Sequence, residues 1–150
     1  MIEPTAAETH ALEAVIDLAL ARHQETGGVV FTAAVLQGDR ILALEANEVS
    51  TTCDPSRHAE IVAIARAAEA RGDTDLSGAT LIASMQPCEM CLAAMRWAGI
   101  DRLLFAMTQD EAPAFFQFPA FSIADFAAAS KEPFHWRGGL GQERVREIYR

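Results

Sequence analysis

The sequence predicts an α/β fold with a partly parallel sheet, on three observations. Near the start, Leu12, Val15, Ile16, Leu18 and Leu20 recur at helical spacing, with no internal Gly or Pro. Two β-rich runs follow, VVFTAAVL (29–36) and RILALEAN (40–47), separated by the turn residues Gln37-Gly38-Asp39. After residue 55 the pattern alternates between helix and strand. Strands joined through helices need crossover connections, which lay neighbouring strands parallel.

Taken in order, the first helix runs from Thr5 to about His23 and is stopped by Gly27-Gly28. The hairpin comes next, then the turn Asp54-Pro55-Ser56. Ser56 is placed to cap a helix through RHAEIVAIARAAEA (57–70), whose Ile61, Ile64 and Ala65 share a face. Arg71-Gly72-Asp73 ends it. ATLIAS (79–84) reads as a strand, CEMCLAAMRWAG (88–99) as a short helix closed by Gly99, and DRLLFAM (101–107) as a further strand. EAPAFFQFPAF (111–121) places four phenylalanines around two prolines, which oppose a regular element. It reads either as a loop folded onto the core or as a flap over a flat apolar substrate. Without repeats or a low-complexity linker, one domain is expected over 1–150.

Composition narrows the partners. Apolar residues make up 51% and charged residues 22%, as in globular chains. No stretch has the apolar length needed to span a bilayer, and MIEPTAAETH lacks the basic start of a signal peptide. A cytoplasmic setting is expected, where thiols stay reduced. The net charge of −9 opposes a broad grip on nucleic acid. From Arg137 onward four arginines alternate with Glu143 and Glu147, which reads as a solvated helix of mixed charge.

The chemistry centres on MQPCEMC (85–91). A Cys-x-x-Cys pair opening a helix after a strand fits a redox site, because a helix N-terminus stabilises a thiolate. Glu89 inside the pair opposes that reading, since a neighbouring carboxylate disfavours the thiolate. The same spacing sets Cys88 and Cys91 on one helix face, where both sulfurs can approach one metal ion. His58 supplies a third ligand suited to zinc, and a catalytic zinc keeps three protein ligands and an open position. A closed structural site would need a fourth, from Cys53, His10, His23 or His135; none lies at a tight spacing. Cys53 reads more simply as a small buried thiol, and the three histidines as surface or cap residues. Glu60, two positions beyond His58, points away from the ligand direction and suits proton transfer beside an activated water.

His58-Ala59-Glu60 with Pro87-Cys88-Glu89-Met90-Cys91 is the H-x-E…P-C-x-x-C signature of zinc deaminases. The chain resembles the cytidine-deaminase-like superfamily, and is most similar to its guanine deaminase branch. Asn47-Glu48-Val49-Ser50-Thr51-Thr52 and Asp54-Pro55-Ser56-Arg57-His58-Ala59-Glu60 are similar to that branch's N-x-V-T-T…D-P-T-x-H-A-E. The likeness covers roughly residues 5–112.

That resemblance implies a three-layer α/β/α domain around a mixed five-stranded sheet, and a homodimer. It implies Zn2+ held by His58, Cys88 and Cys91, with Glu60 as the catalytic proton shuttle. It implies substrate contacts from Asn47, the backbone at Ala59, Trp97 and Phe31. The reaction implied is hydrolytic release of ammonia from a free aminated nucleobase, guanine or a related heterocycle. tRNA adenosine deaminases and cytosine deaminases share the signature, and a redox-active or non-catalytic module on the same scaffold is a third reading. Two departures mark this chain. The branch's G-G-P-F-G is here Gly27-Gly28-Val29-Val30-Phe31-Thr32. Where guanine deaminases carry an acidic residue after Gly-Phe, this chain has Ala112-Pro113-Ala114-Phe115-Phe116-Gln117-Phe118, with Asp110, Glu111 and Asp125 nearby.

Overall fold

Near-continuous burial along β1, β3 and β4, the central strands, organises the molecule into layers, and a computed structural model describes all 150 residues. Helix α1 (Ala6–Thr26) leads into strands β1 (Thr32–Gln37) and β2 (Arg40–Ala46), then the single turn α2 (Val49–Thr52) and helix α3 (Ala59–Arg71). Strand β3 (Thr80–Met85), helix α4 (Glu89–Trp97) and strand β4 (Arg102–Met107) follow. The chain ends with a 3-10 turn (Pro113–Phe115), α5 (Ile123–Ala129), β5 (His135–Arg137) and α6 (Gln142–Val145). The sheet order is β2-β1-β3-β4-β5. The β1 strand is antiparallel to β2 and β3, while β3, β4 and β5 run parallel. This is the expected mixed five-stranded sheet.

Both faces of the sheet are covered because successive side chains point to opposite sides. Ala34, Leu36, Ile82 and Leu104 pack against Leu12, Val15 and Ile16 of α1 and against Val145 and Ile148 at the C-terminus. Ala33, Val35, Leu81 and Leu103 pack on the other side against Ala63 and Ala67 of α3 and Leu92 and Met95 of α4. Three layers result, and the long apolar strands follow from burial on both faces. None of the helices is long and apolar enough to cross a membrane.

One buried carboxylate ties the layers together. Thr5 and Glu8 form a reciprocal capping box at the start of α1. The same Glu8 carboxylate accepts hydrogen bonds from the Thr80 hydroxyl at 2.7 Å and from Arg102 Nε and Nη2 at 2.6 and 2.9 Å. A helix N-terminus is thereby joined to the first residues of two parallel strands. Burial would raise the Glu8 pKa, but the Arg102, Thr5 and Thr80 hydrogen bonds and the Arg102 charge hold it at about 2.

Several elements differ from expectation, each for a local reason. The first strand starts at Thr32 instead of Val29, because Phe31 turns its N–H to the Asn47 side chain. Ser56 does not cap α3: it closes onto Asp54 through its N–H and hydroxyl, at 2.9 and 2.6 Å. Cys53 is exposed, not buried, and ends α2 in the left-handed region at φ 52°. The C-terminal segment is not simply solvated. Val145, Ile148 and Tyr149 are buried, and the Tyr149 hydroxyl reaches Val30 O and Ser84 Oγ, each at 2.7 Å. The path into it passes Gly138, where a Cβ would collide with the Phe105 ring.

Replacing Glu8 with Gln should cost about 2–3 kcal/mol of unfolding free energy at pH 7. A carboxylate with a depressed pKa stabilises fully above its ordinary value of 4.5 and loses this effect as pH falls through about 2. Urea unfolding of both proteins should therefore give curves that converge as pH drops through that window.

Candidate active site

Two helices begin at the same place, and neither has a side-chain cap. His58 occupies the N-cap of α3 and Cys88 the N-cap of α4, both with extended backbone. These are the positions where Ser, Thr or Asp usually satisfy the free N–H groups. Here they carry soft donors instead. The delivery of Cys88 is rigid: β3 ends at Met85, and the Gln86 N–H bonds to Met107 O of neighbouring β4 at 2.7 Å before Pro87 turns the chain. Cys91 lies within the first turn of α4 and is fully buried.

The donor atoms form a nearly equilateral triangle. His58 Nδ1 is 3.6 Å from each sulfur, and the Cys88 and Cys91 sulfurs are 3.7 Å apart. Tetrahedral zinc with Zn–S near 2.3 Å and Zn–N near 2.05 Å needs S···S of about 3.8 Å and S···N of about 3.5 Å. The set fits zinc on distance and on chemistry, and the positive ends of two helix dipoles favour its thiolates. The thiol of Cys88 is held down at about 4, by its hydrogen bond with Cys91 and then by His58. The Cys91 thiol is pushed up by the Cys88 bond and by burial. The His58 imidazole is raised through its contact with Cys88.

Glu60 lies one turn-step into α3 and is 7% exposed. Burial lifts its pKa to about 7, against a counteracting bond from its own backbone N–H. A carboxyl group at that value can both take up and release a proton near neutral pH.

His58, Glu60 and Cys88 open into a cavity of about 260 Å³, walled by Phe31, Val49, Met85, Phe115 and Phe116, with Asn47, Ser50 and Gln86 as its other polar groups. Glu60 is its one carboxylate. Asn47 is held by a two-way bond: its N–H donates to Phe31 O at 3.0 Å, and its Oδ1 accepts from the Phe31 N–H at 3.2 Å. That leaves the Nδ2 group to face a ligand. On either side of Asn47, Glu45 and Glu48 pair with Arg66 of α3 at 2.7 and 2.8 Å, and Arg57 adds a 3.2 Å contact to Glu48. The β2 end is thereby fastened to α3.

Of the expected site residues, the structure brings together His58, Glu60, Cys88, Cys91, Asn47 and Phe31. Ala59, expected to contribute its main chain, turns its methyl into the core on the α3 side of the sheet. One expected residue is placed elsewhere. Trp97 is 91% exposed at the far end of α4, on a separate groove with Arg96 and Lys131. Helical rise explains it: nine residues separate Trp97 from Cys88, about 13 Å along the axis. Cys53, His10 and His135 stand outside the donor cluster, and His23 bonds Gly28 O at 2.7 Å beside the α1 terminus. Asp110 and Glu111 are exposed, and Asp125 caps α5 with Ser122, so no further acid reaches the cavity. Met85, Val49, Ser50, Gln86, Phe115 and Phe116 were not singled out from the sequence as pocket walls. The phenylalanine cluster was the one signal pointing to any of them.

The sequence matches the cytidine and deoxycytidylate deaminase zinc-binding region over residues 6–107. Guanine deaminase of Bacillus subtilis is 35% identical over 85 residues, 57% of this chain and 54% of that protein. A tRNA-specific adenosine deaminase of Agrobacterium fabrum is 35% identical over 100 residues, 67% of this chain and 65% of that one. The chain thus spans between about half and two thirds of these relatives' own lengths. The structure of guanine deaminase from Nitrosomonas europaea shares the fold, with a TM-score of 0.79 at 23% identity, covering 99% of this chain and 85% of that one. The family match runs from α1 to the end of β4 and takes in the donor triangle, Glu60 and Asn47. The chain belongs to the family of the cytidine and deoxycytidylate deaminase zinc-binding region.

Proposed function

We propose that the protein is a one-domain, zinc-dependent hydrolytic deaminase that releases ammonia from a free aminated nucleobase, guanine or a related heterocycle. The observation that carries this reading is the meeting of three zinc donors and a buried carboxyl of raised pKa in one base-sized aromatic cavity. Similarity to guanine deaminases supports the purine.

Zinc held by His58, Cys88 and Cys91 supplies a Lewis acid that makes water nucleophilic near neutral pH. Glu60 takes one proton from the attacking water and passes it to a ring nitrogen, then takes the remaining proton of the added hydroxyl and delivers it to the amine, which leaves as ammonia as the carbonyl forms. Its burial keeps the proton on the reaction path instead of losing it to solvent. The Nδ2 group of Asn47 donates to an acceptor on the ring, and Phe31 with Phe115 and Phe116 holds the ring's faces. Ala59 contributes main chain alone.

Glu60→Gln keeps the shape of the site and removes the titrating group. It should retain zinc near one equivalent per chain while losing roughly 10²–10⁴-fold in turnover, read by ammonia release over a panel of free bases. Turnover in that variant close to the parent's would refute the assignment.

Similarity to tRNA-specific adenosine deaminases favours a second reading, with a flipped adenosine in the same cavity. The net charge of −9 weighs against it. Filter binding of tRNA should give weak retention with little dependence on salt. Tight binding that falls steeply with added salt would transfer the assignment.

The proposal includes a homodimer. The exposed Trp97 ring and the groove beside it, about 700 Å³ and lined by Phe126 and Pro133 together with the charged Arg96, Asp101, Lys131 and Glu132, form a surface that a second copy would bury. Trp97→Arg should shift light-scattering mass from dimer to monomer while zinc content stays unchanged.

A further inference from the structure

We propose that Gln109 is a positioning residue whose side chain holds the segment 113–121 against the cavity, making that segment the wall that admits an unattached base and refuses the same base carrying a sugar. The inference rests on the deaminase reading for its substrate, and on geometry for its device.

Few polar contacts hold the segment. Its two prolines exclude a ladder, and its backbone hydrogen bonds are short turns: Phe115 N–H to Ala112 O at 3.4 Å, Phe116 N–H to Pro113 O at 3.1 Å, and Phe121 N–H to Phe118 O at 3.0 Å. The one hydrogen bond tying it to a more distant part of the molecule runs from Gln109 Nε2 to Pro119 O, at 3.3 Å. Gln109 is itself buried and fully engaged. Its main-chain N–H donates to Gln86 Oε1 at 3.0 Å, and its Oε1 accepts from Gln86 Nε2 at 3.4 Å. Gln86 lines the cavity and immediately precedes Pro87-Cys88, whereas Gln109 does not line it. The polar path therefore runs from the zinc-donor loop, through an amide pair, to the far end of the aromatic segment.

The near end has an apolar anchor. The Phe115 ring stands edge-on to Phe31 and to Tyr149, with centroids 5.8 Å away in both cases. Tyr149 stacks on Phe31 at 5.5 Å, and its hydroxyl is locked to Val30 O and Ser84. Between the two anchors Phe116 is buried, and it walls the cavity together with Phe115. Phe118 and Phe121, 59% and 43% exposed, do not line the cavity, and Phe121 packs edge-on to Phe126 at 6.3 Å. A cavity of about 260 Å³ lies below the range typical of drug-sized ligands. It suits one planar base, and on this proposal a sugar attached to that base meets Phe115 and Phe116.

Gln109→Met in the full zinc-loaded chain keeps side-chain length and removes both amide bonds. The KM for the best free base should rise about tenfold, the worth of one buried hydrogen bond, with kcat changed less than twofold. Preference for that base over its nucleoside should narrow by a similar factor. Amide hydrogen exchange over 115–121 should quicken, which can be read without any turnover. Faster exchange with unchanged KM and preference would overturn the selective role, and unchanged exchange would overturn the tether. If the variant fails to fold, Tyr149→Phe, which removes only the hydroxyl's bonds at the other anchor, must show the same KM rise and narrowed preference, and parent-like values would overturn the proposal. A parent protein inactive on every base would instead refute the deaminase reading, leaving the exchange result to be judged separately.

Discussion

Everything at the site depends on two helices starting at one point with their capping positions given to His58 and Cys88. A helix N-terminus with free N–H groups is a local positive end, and two of them abut here. Ordinary cap side chains would quench that field locally. A donor that becomes anionic uses it, and the Cys88 thiol is held down at about 4 by its hydrogen bond with Cys91 and then by His58. The triangle of 3.6–3.7 Å edges requires both helix starts to be held in place.

The rest of the fold supplies that hold. The β3 and β4 strands are parallel and in register, so the chain leaving β3 is braced by the end of β4 through the Gln86–Met107 bond. At their opposite end, Glu8 and Arg102 join both strands to α1 through hydrogen bonds of 2.6–2.9 Å. The Arg66 fork with Glu45 and Glu48 fastens β2 to α3, and so sets Asn47 opposite His58 and Glu60. The charge of Glu8 sits in a pocket with all its acceptors used. The surface pairs, such as Arg22 with Glu25, add little beside it.

The donor cluster and the aromatic wall are housed in different parts of the chain. The donors and Glu60 ride on helices packed into the sheet, where rotamers are fixed by burial. The aromatic wall comes from Phe31 and from a proline-broken segment, backed by Tyr149 and held by a few hydrogen bonds and ring contacts. Such an arrangement lets the wall vary without disturbing the metal geometry. It also accounts for the absence of a second acid at the cavity: Asp110 and Glu111 lie in the exposed turn leading into this wall, and Asp125 beyond it caps α5.

Local sequence sufficed wherever spacing dictates geometry. The i, i+3 placement of Cys88 and Cys91, the turn-and-helix start at His58 and Glu60, the β1–β2 hairpin and the alternation that makes the sheet mixed were all legible, because each depends on residues a few positions apart. The capping of α3 was misread because Ser56 had a nearer partner in Asp54. Cys53 was misread because hydrophobicity alone does not reveal a left-handed exposed turn. Trp97 was assigned to the site by resemblance, and only the folded chain shows its ring in solvent. The sequence by itself determined the donor set and the buried carboxyl of Glu60 beside it. Tertiary structure decided the cavity's walls, through contacts such as Phe115 with Tyr149 and Gln86 with Gln109, which join residues more than twenty positions apart and leave no periodic trace in the chain.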